Sequence, residues 1–132
     1  MEFTVDTQGF CHFVNITPYV EKAVAQSKIK NGLCLVFVPG STAAITTIEW
    51  EEGVLKDLKN AIERLIPRNI EYLHDQAWGD GNGFAHVRAA FFKPSLCLPV
   101  EDGHLVHGTW QQIVLIDFDN RPRQRTVKVT VK

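Results

Sequence analysis

Cysteine is scarce in this sequence and nowhere paired. Cys11, Cys34 and Cys97 are odd in number and widely spaced, with no CxxC, so a zinc ribbon, a thioredoxin-type pair and a disulfide scaffold are excluded. Each lies in an apolar run, the setting of a reduced thiol used as a small apolar side chain; only Cys11, next to His12, has the basic neighbour a nucleophile needs. Long apolar stretches are missing too, all falling short of the roughly 20 residues that span a bilayer. With no leader-like segment at the start, the expected protein is cytoplasmic and has no membrane partner. Excess charge of either sign is absent. The 14 basic and 15 acidic residues leave a net charge of −1, which argues against nucleic acid as a partner. HExxH, dense His/Cys clusters, repeats and low-complexity linkers are all lacking.

What remains is a chain of 132 residues, 45% apolar and 22% charged, the size and balance of one globular domain. Alternation over residues 2–6 predicts a strand; Gln8-Gly9 predicts a turn into a second strand over 10–16, making a hairpin. Thr17-Pro18 reads as an N-cap and first turn, with the helix running to about Lys30 before Asn31-Gly32. Leu33 to Val38 is continuously apolar, the pattern of a strand buried on both faces, and 44–48 continues the sheet. Val54, Leu55, Leu58, Ala61, Ile62 and Leu65 fall on one face of a helix over 52–66 that Pro67 ends. A polar, glycine-rich loop spans His74 to Gly83, and a helix starts at Asn82. Strands follow over 95–100, 104–107, 111–119 and 123–131. Helices in the first half and middle, with strands at both ends, predict a single α+β domain with a mixed or antiparallel sheet. Its exposed sheet edges need protection, and packing against sister subunits is one way to supply it.

Candidate functional residues lie between these elements. His74 opens the glycine-rich loop, and His86 follows Asn82 by four residues on the first turns of a helix, where unpaired N–H groups favour anions. Two imidazoles with a carboxylate or water suffice for a divalent metal with an open position; a neutral imidazole there could equally move a proton. Ser41 and Thr42 follow a buried strand, either as phosphate donors or as an ordinary turn. Glu49 is the nearest following carboxylate, a base, a metal ligand or a helix cap. Trp110 is either an interface anchor or a wall for a flat ligand. Arg121, Arg123 and Arg125 recur every second residue, either clamping a phosphate or guarding a sheet edge.

Taken together, Val36-Phe-Val-Pro39, Ser41-Thr-Ala-Ala44 with Glu49, Tyr72-Leu-His74, Asn82-Gly-Phe-Ala-His86, Gly103-His-Leu105, Gly108-Thr-Trp-Gln111 and Pro122-Arg-Gln-Arg125 resemble the YjbQ-like family, a group often labelled secondary thiamine-phosphate synthase. The resemblance covers nearly the whole chain. It implies an α+β subunit, a homotrimer with sheets packed around the threefold axis, and a pocket of three histidines that binds metal or an anion. It also implies weak joining of a pyrimidine diphosphate to a thiazole phosphate. In that reading His74, His86 and Glu49 are catalytic, and His74 and His86 hold a divalent metal (Mg or Zn). Thr42, Asn82, Trp110 and Arg123 then contact a small anionic or phosphorylated ligand. The alternative is a non-catalytic trimer that binds a metal or small anion. Two positions depart from the family pattern: Gly40 stands where a histidine is usual, and Gly83 where the helix-start motif has alanine. Losing one of three nitrogen ligands weakens a metal site, and His107 is a further imidazole that could replace it.

Overall fold

A computed structural model describes all 132 residues. The elements in chain order are β1 (Glu2–Thr7), β2 (His12–Asn15), α1 (Thr17–Ser27), β3 (Gly32–Phe37), β4 (Ala43–Glu49), α2 (Glu52–Leu65), α3 (Leu73–Trp78), α4 (Gly83–Phe92), β5 (Ser95–Glu101), β6 (His104–Leu105), β7 (Gln111–Asp117) and β8 (Arg123–Val131). They form an antiparallel sheet in the order β1-β8-β3-β5-β6 and a smaller one in the order β2-β7-β4. No helix is long and apolar enough to cross a membrane.

Apolar side chains decide the layering. Val36, Val100, Val127 and Val129 of the large sheet meet Ile45, Ile113 and Leu115 of the small one, and Val20 and Val24 of α1 close the same core. The opposite face of the small sheet offers Phe13, Ala44, Val114 and Ile116, which pack against Ile62 of α2 and Phe84, Ala85 and Ala89 of α4. The small sheet is therefore a middle layer, covered on both faces. Its central strand β7 and the two residues after it are buried from Ile113 to Asp119, and truncating a residue such as Ile116 to alanine costs about 2–5 kcal/mol.

Several expectations are corrected. β1 and β2 make no hairpin, because β1 joins β8 and β2 joins β7 in different sheets. Gly9, Phe10 and Cys11 all take positive φ (75°, 52° and 65°), which turns the chain out of the first sheet's plane. Only glycine fits at position 9, since a Cβ there would lie 2.4 Å from the Asp119 carbonyl oxygen. Thr17 does not cap α1; its hydroxyl accepts the Ile113 amide (2.8 Å), and Asn15 takes the Thr17 amide instead (3.0 Å). α1 stops at Ser27, where Lys28 turns left-handed (φ 60°). β3 buries only one face: Cys34 and Val36 point inward, whereas Leu33, Leu35 and Phe37 are exposed. Leu65 of α2 is also exposed, whereas Ile62 and Ile66 at the same helix end are buried. The start of the glycine-rich loop is helical, as α3.

Candidate functional site

The functional side chains gather where the strands end. Thr7 closes β1, Thr42 precedes β4, Asp117 ends β7 and Asp119 follows it, and Arg123 and Arg125 open β8. Register explains this, since Ala43 lies opposite Asp117 and Val5 opposite Arg125. Arg125, 5% exposed, donates from Nε to Asp117 Oδ2 (2.7 Å) and from Nη2 to Asp117 Oδ1 (2.9 Å) and to the Thr42 hydroxyl (2.7 Å). Thr42 in turn donates to Asp119 Oδ2 at 2.9 Å, and Thr7 donates to Asp117. Burial pushes the Asp117 carboxyl up, but the Arg125 and Thr7 bonds outweigh it and hold it below the usual carboxylate range. Asp119 Oδ1 is the buried side-chain oxygen with no hydrogen bond. Arg121, Arg123 and Arg125 stand 4.0, 3.6 and 3.8 Å from this carboxylate. The arginine row thus converges on an internal acid.

The next residue carries the cluster to the helices. Asn120 gives its backbone amide to Asn82 Oδ1 (3.1 Å) and its side-chain amide to the Asp80 carbonyl (2.7 Å). Asn82 therefore sits at the start of α4 without capping it; the Gly83 amide goes to Asp75 Oδ1 at 2.8 Å. That carboxylate already occupies the anion-favouring helix end. A Cβ at Gly83 would lie 2.6 Å from Tyr72 Cβ, so glycine lets the start of α3 lie directly on α4. Tyr72 also donates its phenol to the Pro67 carbonyl.

This contact brings His74 of α3 against His86 of α4, with ring centroids 4.5 Å apart and planes inclined by 55°. Asp80 completes the group. Its Oδ2 is 3.2 Å from His74 Nε2, and one ligand atom from each of His74, Asp80 and His86 lies within 4.8 Å of the others. Desolvation raises the Asp80 carboxyl, but the Asn82 amide and the His74 imidazole prevail and hold it low. An ionised carboxylate and two imidazoles are a donor set for zinc or a similar divalent transition metal. Ligand atoms about 2.0–2.2 Å from zinc stand about 3.4 Å apart in a tetrahedron. The His74–Asp80 spacing of 3.2 Å already matches, and every other separation in the group stays within 4.8 Å. The Asn82 amide on Asp80 Oδ1 (3.2 Å) supplies the outer hydrogen bond that orients such a ligand. The residues fit the metal.

Other expected site residues are not brought here. Glu49 ends β4 opposite Gln111, at the far end of the strand from Ala43, about 20 Å away at 3.3 Å per residue. It caps nothing; Glu51 does, accepting the Gly53 and Val54 amides at 2.7 and 2.8 Å. Trp110 lies at Glu49's end and is exposed. The Thr42 hydroxyl spends its one proton on Asp119, so it has none for a phosphate. Arg123 keeps a half-buried side chain directed at Asp119. His107 does not replace the imidazole missing at Gly40, since Nδ1 bonds the Gln111 carbonyl (2.8 Å) and Nε2 bonds Glu21 of α1 (3.1 Å). Cys11 is buried, which pushes its thiol up to about 11 and leaves no thiolate for catalysis. Sequence reasoning missed Asp80, Asp119 and Asn120. The Asp80-Gly-Asn82 and Asp117-Phe-Asp119-Asn120 runs were available as signals, yet acids beside turn residues usually mark only turns.

Fold and site together define an α+β protein with a covered three-stranded sheet and a His–Asp–His cluster between α3 and α4. The chain belongs to the UPF0047 YjbQ-like protein family, whose model matches residues 1–132. A UPF0047 protein of Archaeoglobus fulgidus is 39% identical over 129 residues, 98% of each chain. One from Mycobacterium tuberculosis H37Rv is 42% identical over 101 residues, covering 76% of this chain and 74% of that one. The crystal structure of a YbjQ-like protein of unknown function from Sulfolobus solfataricus P2 superposes with a TM-score of 0.91 at 34% identity, over 99% of this chain and 95% of that one. An uncharacterised conserved protein of the family from Clostridium acetobutylicum gives 0.91 at 33%, over 100% and 99%. The family and fold implied by the sequence motifs are established. These relatives are uncharacterised and lend no support to thiamine-phosphate synthase activity.

Proposed function

We propose that the protein holds one divalent transition-metal ion between His74, Asp80 and His86 and uses its open positions to bind a small anionic ligand. The observation that carries this reading is the convergence of three ligand atoms within 4.8 Å from α3, the loop after it and α4. A metal so held supplies Lewis acidity to a bound oxygen. The chain's own contribution is to hold the imidazoles together through the Tyr72–Gly83 contact and to anchor the Asp80 loop through Asn120. Metal analysis of tag-free protein dialysed against Zn²⁺ or Mn²⁺ tests it. Near-stoichiometric metal that is lost in Asp80→Ala supports the site; less than about 0.1 ion per chain in the wild type sinks it, because a functional site is substantially occupied.

Joining a pyrimidine diphosphate to a thiazole phosphate is the more specific reading, and the resemblance alone supports it. Product formation with both substrates and Mg²⁺, measured against His86→Ala, decides it. The homotrimer is supported by the stripe of Leu33, Leu35 and Phe37 on the outer face of the large sheet, with Cys97 and Pro99 beside it in register. Contiguous apolar surface of this kind marks an interface. Light scattering on wild type and Leu35→Lys tests it: a trimer that the substitution dissociates is expected, and a wild-type monomer refutes it. Three unpaired cysteines, two of them buried, fit a reducing compartment such as the cytosol.

A further inference from the structure

A second constellation lies along α2 and shares no residue with the His74–Asp80–His86 cluster. Two clefts, about 250 and 230 Å³, meet at Lys59, which lines both. Together they reach the size of a small-molecule site. The first is walled by His12 and Trp50, the second by Phe10 and Arg68.

Aromatic faces and cations alternate along this groove. The Arg68 guanidinium lies 4.1 Å from the Phe10 ring centroid, and the Lys59 ammonium 5.3 Å from that of Phe13. Phe10 and Trp50 are both more than a third exposed. The acids beside them are already engaged: Glu52 bonds Lys56, while Glu63 bonds Arg88 and accepts the Arg68 amide. No carboxylate pairs with Lys59 or the Arg68 side chain, so the groove carries unspent positive charge on a chain that is slightly acidic overall.

Two further features point to a ligand. Phe10 and Cys11 hold left-handed backbone that non-glycine residues seldom adopt. Such strain persists where the surrounding structure fixes it and often where a ligand is bound; here it turns the Phe10 ring out beneath Arg68. His12 Nδ1 accepts the Gln8 amide at 3.1 Å, which leaves the ring proton on Nε2 as a donor. Burial and the Lys59 charge hold His12 below its usual range, so that neutral form persists.

We propose that this groove binds a flat aromatic anion of the nucleoside monophosphate type, its ring on Trp50 beside His12 and its phosphate between Lys59 and Arg68. Neutral ring recognition by stacking and anion recognition by the cations are then both required, and neither half binds well alone. The site is independent of the metal cluster.

Calorimetry on the full chain with AMP, adenosine and inorganic phosphate tests this. AMP is expected to bind at least about fivefold more tightly than either half, the gain that one stacked base brings. Lys59→Ala and Trp50→Leu, both at exposed positions, are each expected to weaken AMP by about fivefold or more, with His86→Ala unchanged. AMP binding no tighter than phosphate overturns the proposal. So does wild-type affinity in both groove variants, and so does a loss that appears only in His86→Ala.

Discussion

Arg125 grips Asp117 through two parallel hydrogen bonds, Nε to Oδ2 and Nη2 to Oδ1, with both side chains buried. A guanidinium fork matches a carboxylate in this way, and lysine does not. The pair joins the small sheet to the large one at the end where the candidate site forms. Asp119 and Asn120, the residues that follow β7, pass that order on to Asp80 and Asn82.

Removing one member strands the other. Arg125→Met leaves Asp117 buried without its cation and is expected to cost about 3–5 kcal/mol. Urea denaturation measures this. Combining it with Asp117→Leu is expected to recover part of the loss, because the uncompensated charge goes with it.

Acid attacks the same place. The folded Asp117 carboxyl titrates below its ordinary value, so its contribution is full above the unfolded value of about 3.9 and fades as pH falls through the folded one. Denaturation series between about pH 5 and about pH 2 are expected to lose stability below about pH 4 in the wild type, and to lose less there in Asp117→Asn.

The histidine pair depends on a glycine. Gly83→Ala forces Tyr72 away from α4, overpacking that typically costs about 1–3 kcal/mol. Because α3 has no buried residue to hold it in place, His74 is expected to separate from His86. Thermal melts would show a lowered Tm and loss of any Zn²⁺-induced rise, whereas Val87→Ala on the exposed side of α4 would keep that rise.

Alkali affects a different contact. Burial lowers the His107 imidazole, but Glu21 and the Gly108 and Gln111 carbonyls outweigh it and raise its pKa. The bridge to Glu21 therefore stabilises fully below about pH 6.5 and is lost as pH rises through the folded value. With Glu21 about half exposed, the effect is less than about 1 kcal/mol. Glu21→Gln is expected to shift the His107 NMR titration downward and to reduce the loss of stability between about pH 6 and about pH 8.5.

Much of the architecture was legible before any coordinates. The 3.6-residue spacing of Leu55, Leu58 and Ile62 and the alternation of Val127, Val129 and Val131 are local signals, imposed by which faces must leave water. The two faces of β3 misled because Leu33, Leu35 and Phe37 are apolar yet lie outward, and apolarity alone does not separate a buried face from an exposed one. His74 and His86 were legible as individual residues, whereas the acid beside them was not.

Sequence by itself determined the α+β class, the helix over α2, the strand content and the family, because these follow from short-range periodicity and ordered motifs. Only the tertiary structure decided that β1 and β2 enter different sheets, that the arginine row turns inward on Asp117 and Asp119, and that Asp80 rather than Glu49 joins the imidazoles. Those outcomes depend on strand register and on close approaches at Gly9 and Gly83 between residues far apart in the chain. No local pattern encodes them: a polar side chain's partner is fixed by where the packed layers leave it.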